Sequence, residues 1–507
     1  MKRNLFRLAN EKFDVLILGG GVHGAAIARK LSGAGFNCAL IEQNDFSGAT
    51  SANSLKILHG GLRYLQNLDF RRMRKSVVSR SEIMRSAPDL VRPLRCVMPV
   101  YSNGYLKNQY VFKAALYVND LVGFDRNEGL ETPLRLPPGR VLSRKKSARI
   151  LPGVNHRGLT GGLLWHDAIV CNTERLVLNL LLEANLHSAC LANYVKATAF
   201  IRNGDRILGV RAKDRLTGEM LEIEAGVVVN ATGPWFRRNL AGCGLGQGAG
   251  GQKWLLGLNL VINKPFFGDC AVGLEGNGAQ GKRLFFFVPW HGHTMVGTYY
   301  RPYQGDPDLF TVEKQDIEAF IRELNCVYPS GGITFGDVTF FHGGLLPASG
   351  DSQQGGIDLE KREMVIDHQD LEGVQGLLSV RSVKYTTAAT TASDVLRMVM
   401  RKAEKKPEWH DLRFQGPLSA MYKRTFAKAL TAPVFSHLAV EHFVHNEMAA
   451  KLSDIVFRRT GVGTAGCPPI QYLNNMADAM AETMGWNMGR KEREIVDVLN
   501  RYGPLKI

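Results

Sequence analysis

The sequence predicts an α/β fold, in which a βαβ unit near the N-terminus precedes antiparallel β-structure and a final set of helices. Three observations support this prediction. A short apolar run, Phe13–Leu18, ends in a glycine-rich turn and is followed by helix-forming residues. Apolar and polar residues alternate from Ala192 to Ile223, with turn signals between the runs. Apolar residues recur at helical spacing between Glu441 and Arg459.

Composition and charge limit the classes of function. The 507 residues are enough for two or three domains, and 45% hydrophobic with 22% charged residues is an ordinary globular balance. The net charge of +16 favours an anionic partner such as a membrane surface or a phosphorylated ligand, with general solvation as the alternative. A nucleic-acid partner is not expected, because the sequence has no long Lys/Arg block and no zinc-finger spacing.

The sequence also predicts location and metal content. It has no run of about 18 apolar residues and no apolar signal region at its start, so we expect any membrane contact to be peripheral, on the inner face. The eight cysteines form no CxxC pair, which is typical of reduced thiols in a cytoplasmic protein. His291 and His293, like the histidines at 437, 442 and 445, lack the spacing of a metal site.

The glycine-rich turn carries the first functional signal. Gly19, Gly21 and Gly24 fit the pattern G-x-G-x-x-G between a predicted strand and a predicted helix. In this pattern the glycines make a tight turn, let a pyrophosphate approach the backbone and allow close packing of helix on strand. Glu42 ends the second apolar run and can accept hydrogen bonds from ribose hydroxyls. The pattern predicts dinucleotide binding without separating FAD from NAD.

The segment that follows Glu42 resembles the family of FAD-linked glycerol-3-phosphate dehydrogenases. The likeness lies in a Thr/Ser-rich stretch followed by Lys56-Ile57-Leu58-His59-Gly60-Gly61-Leu62-Arg63-Tyr64-Leu65. The resemblance implies that the cofactor is FAD, that this segment runs under the flavin and that Arg63 faces the substrate. The hydroxyls of Thr50, Ser51 and Ser54 can bond phosphate and ring edges, and Gly60 and Gly61 allow close backbone approach.

Two later motifs extend the resemblance. Ala231 and Gly233 belong to Asn-Ala-Thr-Gly-Pro-Trp, which the family places near the FAD diphosphate, and Val195 in the alternating segment is a further expected cofactor contact. Lys384 matches the family's active-site lysine. A helix that begins near Thr386 could face the flavin N1–C2=O edge, where reduction places negative charge.

The motifs together predict a two-dinucleotide-binding-type FAD domain, an interleaved antiparallel β substrate domain and a small C-terminal helical domain. We expect residues 1–404 to form the oxidoreductase region and residues 405–507 to form a separate helical domain. The predicted FAD-binding parts are about 11–75, 155–240 and 360–404, and the substrate parts are about 76–154 and 241–359.

Several positions on the substrate side depart from the family pattern. Leu346 stands where the family has a phosphate-binding arginine, Asn259 where it has a histidine, and Tyr300 where it has an aspartate. A leucine cannot offer the fork of donors that grips a phosphate, and an asparagine cannot accept a proton near neutral pH. The departures leave the identity of the substrate open.

The resemblance implies a dehydrogenase. It would transfer a hydride from a secondary alcohol, glycerol 3-phosphate or a related compound, to flavin N5 and pass the electrons to a quinone or other acceptor. Arg63 and Lys384 would hold the anionic substrate, and His59 and His342 are candidates for acid/base work. The alternatives are an oxidase of an unphosphorylated hydroxy or amino compound, and a non-catalytic FAD-binding partner protein.

Overall fold

The computed structural model describes residues 1–102, 109–241, 244–245, 253–278, 281–351, 357–360, 363–403, 407–408 and 437–505. The strands are β1 (Phe13–Leu18), β2 (Cys38–Ile41), β3 (Ile57–Leu58), β4 (Val91–Tyr101), β5 (Arg140–Ser143), β6 (Leu159–Val170), β7 (Cys190–Ala192), β8 (Val195–Asn203), β9 (Arg206–Asp214), β10 (Met220–Asn230), β11 (Lys253–Ile262), β12 (Cys270–Gly278), β13 (Gly281–Trp290), β14 (His293–Tyr303), β15 (Val338–Asp351), β16 (Ile357–Leu359), β17 (Met364–Asp367) and β18 (Leu377–Arg381). The α-helices are α1 (Leu5–Asn10), α2 (Val22–Gly33), α3 (Phe70–Ser86), α4 (Gln109–Val122), α5 (Arg144–Ile150), α6 (Thr173–Leu186), α7 (Phe236–Ala241), α8 (Lys314–Val327), α9 (His368–Glu372), α10 (Ala388–Ala403), α11 (His437–Glu447), α12 (Ile470–Met484) and α13 (Met488–Asn500).

The first sheet carries the nucleotide-binding motif. Its strands run in the order β17-β18-β10-β1-β2-β7, and the pairs from β18 to β7 are parallel. The start of β10 pairs antiparallel with β9, and β9 with β8, so the predicted meander is an extension of this sheet. In the register, Leu18 lies beside Ile41 and Asn230. The carboxyl ends of three parallel strands therefore meet at one edge, which is where open α/β sheets bind ligands.

The second sheet is almost entirely antiparallel, as the sequence predicts for the substrate domain. Its order is β16-β15-β11-β14-β13-β12-β4-β6-β3, and β5 also pairs with β6. Among the strand pairs of this sheet that the structure describes, only β12 and β4 are parallel. β6 lies within the predicted FAD-binding part 155–240, yet it pairs with β4 from Val91 beside Val170 to Tyr101 beside Leu159. This long ladder places residues 159–170 in the substrate sheet.

Helices α2, α6 and α10 cover one face of the first sheet. Their apolar side chains, among them Ile27, Val177 and Val395, form one buried cluster with the strand residues Val15 and Val229. Fixing α2 against the sheet fixes the position of its N-terminus, because an α-helix is a rigid element on this length scale.

The C-terminal helices that the structure describes, α11 to α13, share the core of the second sheet. Phe443 of α11, Leu473 of α12 and Val498 of α13 are buried in the same cluster as Leu94 and Phe340 of the second sheet. The sequence predicts these residues as a separate domain, whereas their apolar faces complete the back of the substrate sheet. Residues 409–436, which the prediction includes in this domain, lie outside the described residues.

Buried ion pairs also join the C-terminal region to the FAD-binding half. Asp45, three residues after Glu42, accepts hydrogen bonds from Arg458 Nε at 2.5 Å and Arg459 Nη2 at 2.9 Å. Arg175 of α6 contacts both carboxylate oxygens of Glu447 at 2.9 Å. Because breaking a buried ion pair leaves an uncompensated charge, these contacts stabilise the packing of the C-terminal region against the FAD-binding half.

The helical periodicity predicted from Glu441 to Arg459 is interrupted. Helix α11 ends at Glu447, Met448 has a left-handed φ of +57°, and a π-helical segment covers Asp454–Arg459. The Asp454 carboxylate accepts the backbone N–H groups at 450 and 451, at 2.8 and 3.0 Å. These hydrogen bonds fix the turn that leads into the π-helical segment. Apolar residues therefore continue at helical spacing although the helix itself ends at Glu447.

Within the described residues, no helix is both long and apolar enough to cross a membrane. The same residues contain no group of three or more His, Cys, Asp or Glu side chains that could hold a metal ion.

Candidate cofactor and substrate site

The glycine turn after β1 has the geometry that its spacing predicts. Gly19 adopts a left-handed φ of +104°, and a Cβ at Gly24 would lie 1.8 Å from the Gly19 carbonyl oxygen. Helix α2 can therefore approach the strand only because residue 24 is glycine. Gly21 caps α2 without a side chain, so the positive end of the helix faces the cleft.

Glu42 closes the next strand beside this turn. Its carboxylate accepts the backbone N–H of Gly20 at 2.7 Å and that of Asn44 at 2.8 Å, while burial raises its pKa. A carboxylate offers about four acceptor sites, so capacity remains for the hydroxyls of a ribose. Val195 donates its N–H to the Glu42 carbonyl at 2.8 Å, which brings the start of β8 to the same end of the cleft.

The Thr/Ser-rich segment lies next to the N-terminus of α2. Ser51 Oγ accepts the N–H of Val22 at 2.9 Å, and Thr50 Oγ1 donates to the carbonyl of Leu345 at 3.0 Å. Thr50, Ser51 and Ser54 all line the cleft. The segment thus connects the nucleotide-binding turn to strand β15 of the substrate sheet.

Gly60 and Gly61 lie behind the cleft rather than along its surface. Gly60 donates its N–H to Asp167 at 2.5 Å, and a Cβ at this position would lie 2.5 Å from a guanidinium nitrogen of Arg80. Gly61 has a left-handed φ of +84°. The buried Arg80–Asp167 pair, 2.7 Å apart, therefore holds the turn that presents residues 59–64.

Ala231 and Gly233 follow the end of β10. The N–H of Ala231 bonds the carbonyl of Leu18 at 2.9 Å, which continues the parallel pairing past the strand. Gly233 has a left-handed φ of +55°, and a Cβ there would meet no atom within 4 Å. Both residues line the cleft opposite the α2 turn, and the space at Gly233 is open to a ligand.

Lys384 lies in the loop between β18 and α10 and lines the cleft. Its Nζ donates a hydrogen bond to the Tyr64 hydroxyl. Burial, assisted by the positive charge of Arg63, lowers the pKa of Lys384 to about 8. Arg63 itself is exposed and is not among the lining residues, but its charge also acts on Tyr300. Of these two cationic groups, Lys384 therefore lines the cleft, and the charge of Arg63 acts on it from outside the lining.

His59 and Thr386 lie beside this pair, and both line the cleft. Thr386 Oγ1 accepts the His59 N–H at 3.3 Å, and α10 begins two residues later at Ala388, close to the predicted start. Burial, together with the charge of Lys384, lowers the pKa of His59 to about 4. The imidazole is therefore neutral at physiological pH and can accept a proton.

His342 is not brought to the cleft. It lies beside Asn259 in the β11–β15 register, but its side chain is buried against Phe340 and faces the backbone of Ala52 and Thr464. Burial lowers the pKa of His342 well below its usual value. The C-terminal segment and the Thr/Ser-rich segment cover it, and this placement offers no route to a substrate in the cleft.

The side chain of Asn259 links two strands of the second sheet to the Thr/Ser-rich segment. Its Oδ1 accepts the Thr298 hydroxyl at 2.9 Å, and its Nδ2 donates to the carbonyl of Asn53 at 3.1 Å. Both ends of the amide are therefore engaged, and the residue joins β11 and β14 to the Thr/Ser-rich segment at the wall of the cleft.

Leu346 and Tyr300 form a wall at the substrate end. A Cβ at Gly257 would lie 3.0 Å from Leu346 Cδ1, 3.5 Å from Thr298 Cγ2 and 3.6 Å from Tyr300 Cε1. Strand β11 therefore needs a glycine here to admit these side chains. Burial raises the pKa of Tyr300, which keeps its phenol neutral.

Most of these residues line one open cleft. The expected site residues on its surface are Gly19, Gly21, Glu42, Thr50, Ser51, Ser54, His59, Val195, Ala231, Gly233, Lys384 and Thr386. Gly24, Gly60, Gly61 and Arg63 support it from behind or beside. The cleft thus combines a helix N-terminus, a buried acid and a lysine, which suit the diphosphate, a ribose and the reduced flavin of FAD respectively.

Sequence reasoning missed several residues that shape this cleft. His23 in the first turn of α2 bonds the Lys384 carbonyl at 3.0 Å through Nε2, and Trp254 and Arg381 line the cleft. Asp167 holds Gly60 but lies 107 residues away in sequence. Of these residues, His23 could have been found from the sequence, because it falls within the glycine motif. The positions of Trp254, Arg381 and Asp167 depend on contacts between segments that are distant in sequence.

A model of the FAD-dependent oxidoreductase family matches residues 14–372. The chain is 29% identical over 418 residues to the glycerol-3-phosphate dehydrogenase of Synechocystis, a match that covers 80% of this chain and 72% of that protein. It is 30% identical over 351 residues to the alpha-glycerophosphate oxidase of Streptococcus pyogenes, covering 69% of this chain and 56% of the oxidase. It thus spans only part of these relatives.

The fold also matches a solved structure along its whole length. The glycerol-3-phosphate dehydrogenase from Bacillus halodurans, complexed with FAD, superposes with a TM-score of 0.73 at 22% sequence identity. The match covers 99% of this chain and 98% of that one. At this identity the comparison establishes the shared fold, including the C-terminal helices.

Proposed function

Since the chain belongs to the family of FAD-dependent oxidoreductases, we propose that it is a dehydrogenase of glycerol 3-phosphate or a closely related secondary alcohol. The observation that carries this proposal is the pairing of Lys384 with Tyr64 beside His59, where Lys384 and His59 line the same cleft as the nucleotide-binding turn. The names of the aligned relatives, glycerol-3-phosphate dehydrogenase and alpha-glycerophosphate oxidase, support the same substrate class.

Each residue of the substrate end has a chemical task in this proposal. Arg63 and protonated Lys384 attract the anionic group of the substrate and orient its carbinol carbon. His59, which lines the cleft as a neutral imidazole, would accept the proton of the substrate hydroxyl. FAD held along the cleft would supply the acceptor for the hydride of the carbinol carbon, and loss of that hydride and of the hydroxyl proton would leave a ketone.

Other residues of the cleft would bind the cofactor. The α2 N-terminus with Gly21 and Ser51 would hold the diphosphate, and Glu42 would hold the ribose. The turn before α10, with Thr386, would lie at the flavin edge that gains negative charge. We propose that the electrons then pass to a quinone-type acceptor and that the protein reaches it by peripheral contact with the inner face of a membrane.

A substrate screen tests the proposal. The holoprotein is mixed anaerobically with glycerol 3-phosphate, glycerol, 2-hydroxy acids and amino acids, and bleaching of the visible flavin band is followed. Bleaching by glycerol 3-phosphate is expected; bleaching only by an unphosphorylated compound would replace the substrate, and reduction by dithionite alone would favour a non-catalytic role. Because one aligned relative is an oxidase, peroxide is measured during aerobic turnover, and stoichiometric peroxide would convert the proposal to an oxidase.

A further inference from the structure

His23 is a buried polar side chain in the first turn of helix α2. It is 6% exposed, and its neighbours in this turn, Val22, Gly24 and Ala25, carry no polar side chain. Buried polar side chains are almost always hydrogen-bonded, because an unsatisfied one costs free energy. His23 Nε2 lies 3.0 Å from the carbonyl oxygen of Lys384. The nucleotide-binding helix is therefore bonded directly to the main chain of the lysine at the other side of the cleft lining.

The surroundings of the His23 ring fix its protonation. A carbonyl oxygen only accepts hydrogen bonds, so Nε2 carries the proton and donates it. Nδ1 is buried, and the part of the chain that the structure describes offers it no hydrogen-bond partner. A second proton there would create a buried charge with no acceptor, and burial accordingly lowers the pKa of His23 to about 4. The Nε2–H donor is therefore present throughout the pH range in which Lys384 titrates.

A second donor reaches the same carbonyl. Thr387 Oγ1, in the residue before α10, donates to the Lys384 carbonyl oxygen at 3.2 Å. Helices α2 and α10 share one buried apolar cluster, to which Ala25 and Ala392 belong. The main chain at Lys384 is thus held between two helices whose own positions are fixed by the core.

The side chain of Lys384 depends on this main-chain position. Its Nζ donates to the Tyr64 hydroxyl and lies 4.2 Å from the centre of the Tyr64 ring. The other charged or titratable groups that act on it, Arg63 and His59, come from the segment before α3. Among the described residues, Lys384 has no carboxylate within ion-pair distance. A lysine is a flexible chain, so its ammonium group is placed here by Tyr64 and by the fixed backbone.

We propose that His23 is a positioning residue, whose Nε2–H holds the Lys384 carbonyl and thereby fixes the lysine side chain in the cleft. His23 acts through Lys384, since its ring donor is already bonded and its other nitrogen is buried. The inference rests on the proposed function for the task given to Lys384, but the placement of Lys384 can be measured without turnover. It gives a task to a residue that the spacing of the glycine motif leaves unspecified.

The first test removes the donor and keeps most of the volume. His23→Leu loses the Nε2–H, whereas His23→Gln keeps an N–H at a similar reach. With its backbone less constrained, Lys384 reaches more solvent and its pKa rises towards the ordinary 10.5, so the alkaline limb of kcat/KM should move to higher pH. At neutral pH we expect kcat/KM to fall about three- to tenfold in His23→Leu, mainly through KM, and to be largely restored in His23→Gln.

His368→Leu is the matched control. His368 is also buried, at 2% exposed, and it bonds Ser379 Oγ at 2.8 Å on β18, the strand that leads to Lys384. It is not among the residues that line the cleft, so this variant should lose stability and keep the limb at the wild-type pH. Thr387→Val removes the second donor and should move the limb in the same direction as His23→Leu. It keeps the inference testable if His23→Leu does not fold or retain FAD.

A measurement without turnover separates this inference from the proposed function. In the FAD-loaded protein, the rate of trace acetylation of Lys384 by acetic anhydride is followed against pH by peptide mass spectrometry, and its midpoint gives the pKa of the lysine. A higher midpoint in His23→Leu and Thr387→Val, with wild-type midpoints in His23→Gln and His368→Leu, would support the inference even if no screened substrate reduces the flavin. Wild-type midpoints in both donor-removing variants would overturn it, as would an equal shift in His368→Leu or a Gln variant that behaves like the Leu variant.

Discussion

The alkaline limb of the pH–rate profile should belong to Lys384. The ordinary pKa of a lysine is 10.5, and burial with the nearby charge of Arg63 lowers it to about 8. At about 1.4 kcal/mol per tenfold change in the ionisation constant, this corresponds to roughly 3 kcal/mol against the charged form in the empty site. Because the proposed function assigns the binding of the anionic substrate to the protonated lysine, kcat/KM should be full below pH 8 and fall as pH rises through it.

Three variants separate this explanation from others. Lys384→Met should lose the limb near pH 8 and at least tenfold in kcat/KM at pH 7, or about 1.4 kcal/mol of transition-state stabilisation, while retaining FAD. Lys384→Arg keeps its charge at all accessible pH values, so its profile should lack the limb but retain more activity. Arg63→Met removes a cation that disfavours protonation of Lys384, so its limb should move to higher pH.

The assay is initial-rate kinetics from pH 6 to pH 10 at constant ionic strength, because kcat/KM reports ionisations of the free enzyme. The reasoning is refuted if Lys384→Met retains a limb at the wild-type pH. A downward move of the limb in Arg63→Met would equally contradict it, since loss of a positive neighbour can only make protonation easier.

Three further predictions concern cofactor, substrate and stability. Gly21→Val introduces a branched side chain beside Ser51 where the diphosphate approaches, so the purified variant should lack flavin absorbance; full flavin occupancy would show that the turn is wrongly assigned. Leu346→Arg should raise kcat/KM for glycerol 3-phosphate at least tenfold, because a charge-assisted hydrogen bond contributes roughly 1.5–3 kcal/mol; an unchanged or lower value would mean that no phosphate lies at this wall. Asp167→Ala leaves Arg80 buried without its partner and should lower the free energy of unfolding in urea by about 3–5 kcal/mol, whereas Asp306→Ala, which removes the exposed partner of Arg238, should lower it far less. Equal costs for the two aspartates would argue against the buried pair.

The nucleotide-binding end could be predicted from the sequence because its signals are local. Gly19, Gly21, Gly24 and Glu42 lie within one βαβ unit, and each is needed for a backbone approach that the spacing alone specifies. The structure adds the distances but no new element there. The β-meander and the antiparallel substrate sheet were likewise predictable, since alternation along a strand indicates which face is buried.

The substrate end could not be predicted in the same way. The contact between Lys384 and Tyr64 joins residues 320 apart, and only the family resemblance directed attention to both. His342 was chosen as a polar residue on a strand beside the site, but a strand pattern does not reveal which distant segment covers it. The break after Glu447 escaped prediction because apolar spacing continues through it while the backbone is redirected by Asp454.

The buried pairing of Asp45 with Arg458 and Arg459 has a kinetic consequence for the cofactor. Asp45 lies three residues after Glu42, the proposed ribose-binding acid, and its carboxylate is paired with the C-terminal π-helical segment. Partial opening of the C-terminal helices would leave the buried Asp45 carboxylate without its arginine partners. Opening of the cleft at Glu42 would break the same ion pairs, so we expect the two openings to be equally rare. FAD dissociation and hydrogen exchange in α11 should therefore proceed with a common rate constant, and the region that appears from the sequence to be an appendage would set the lifetime of the holoprotein.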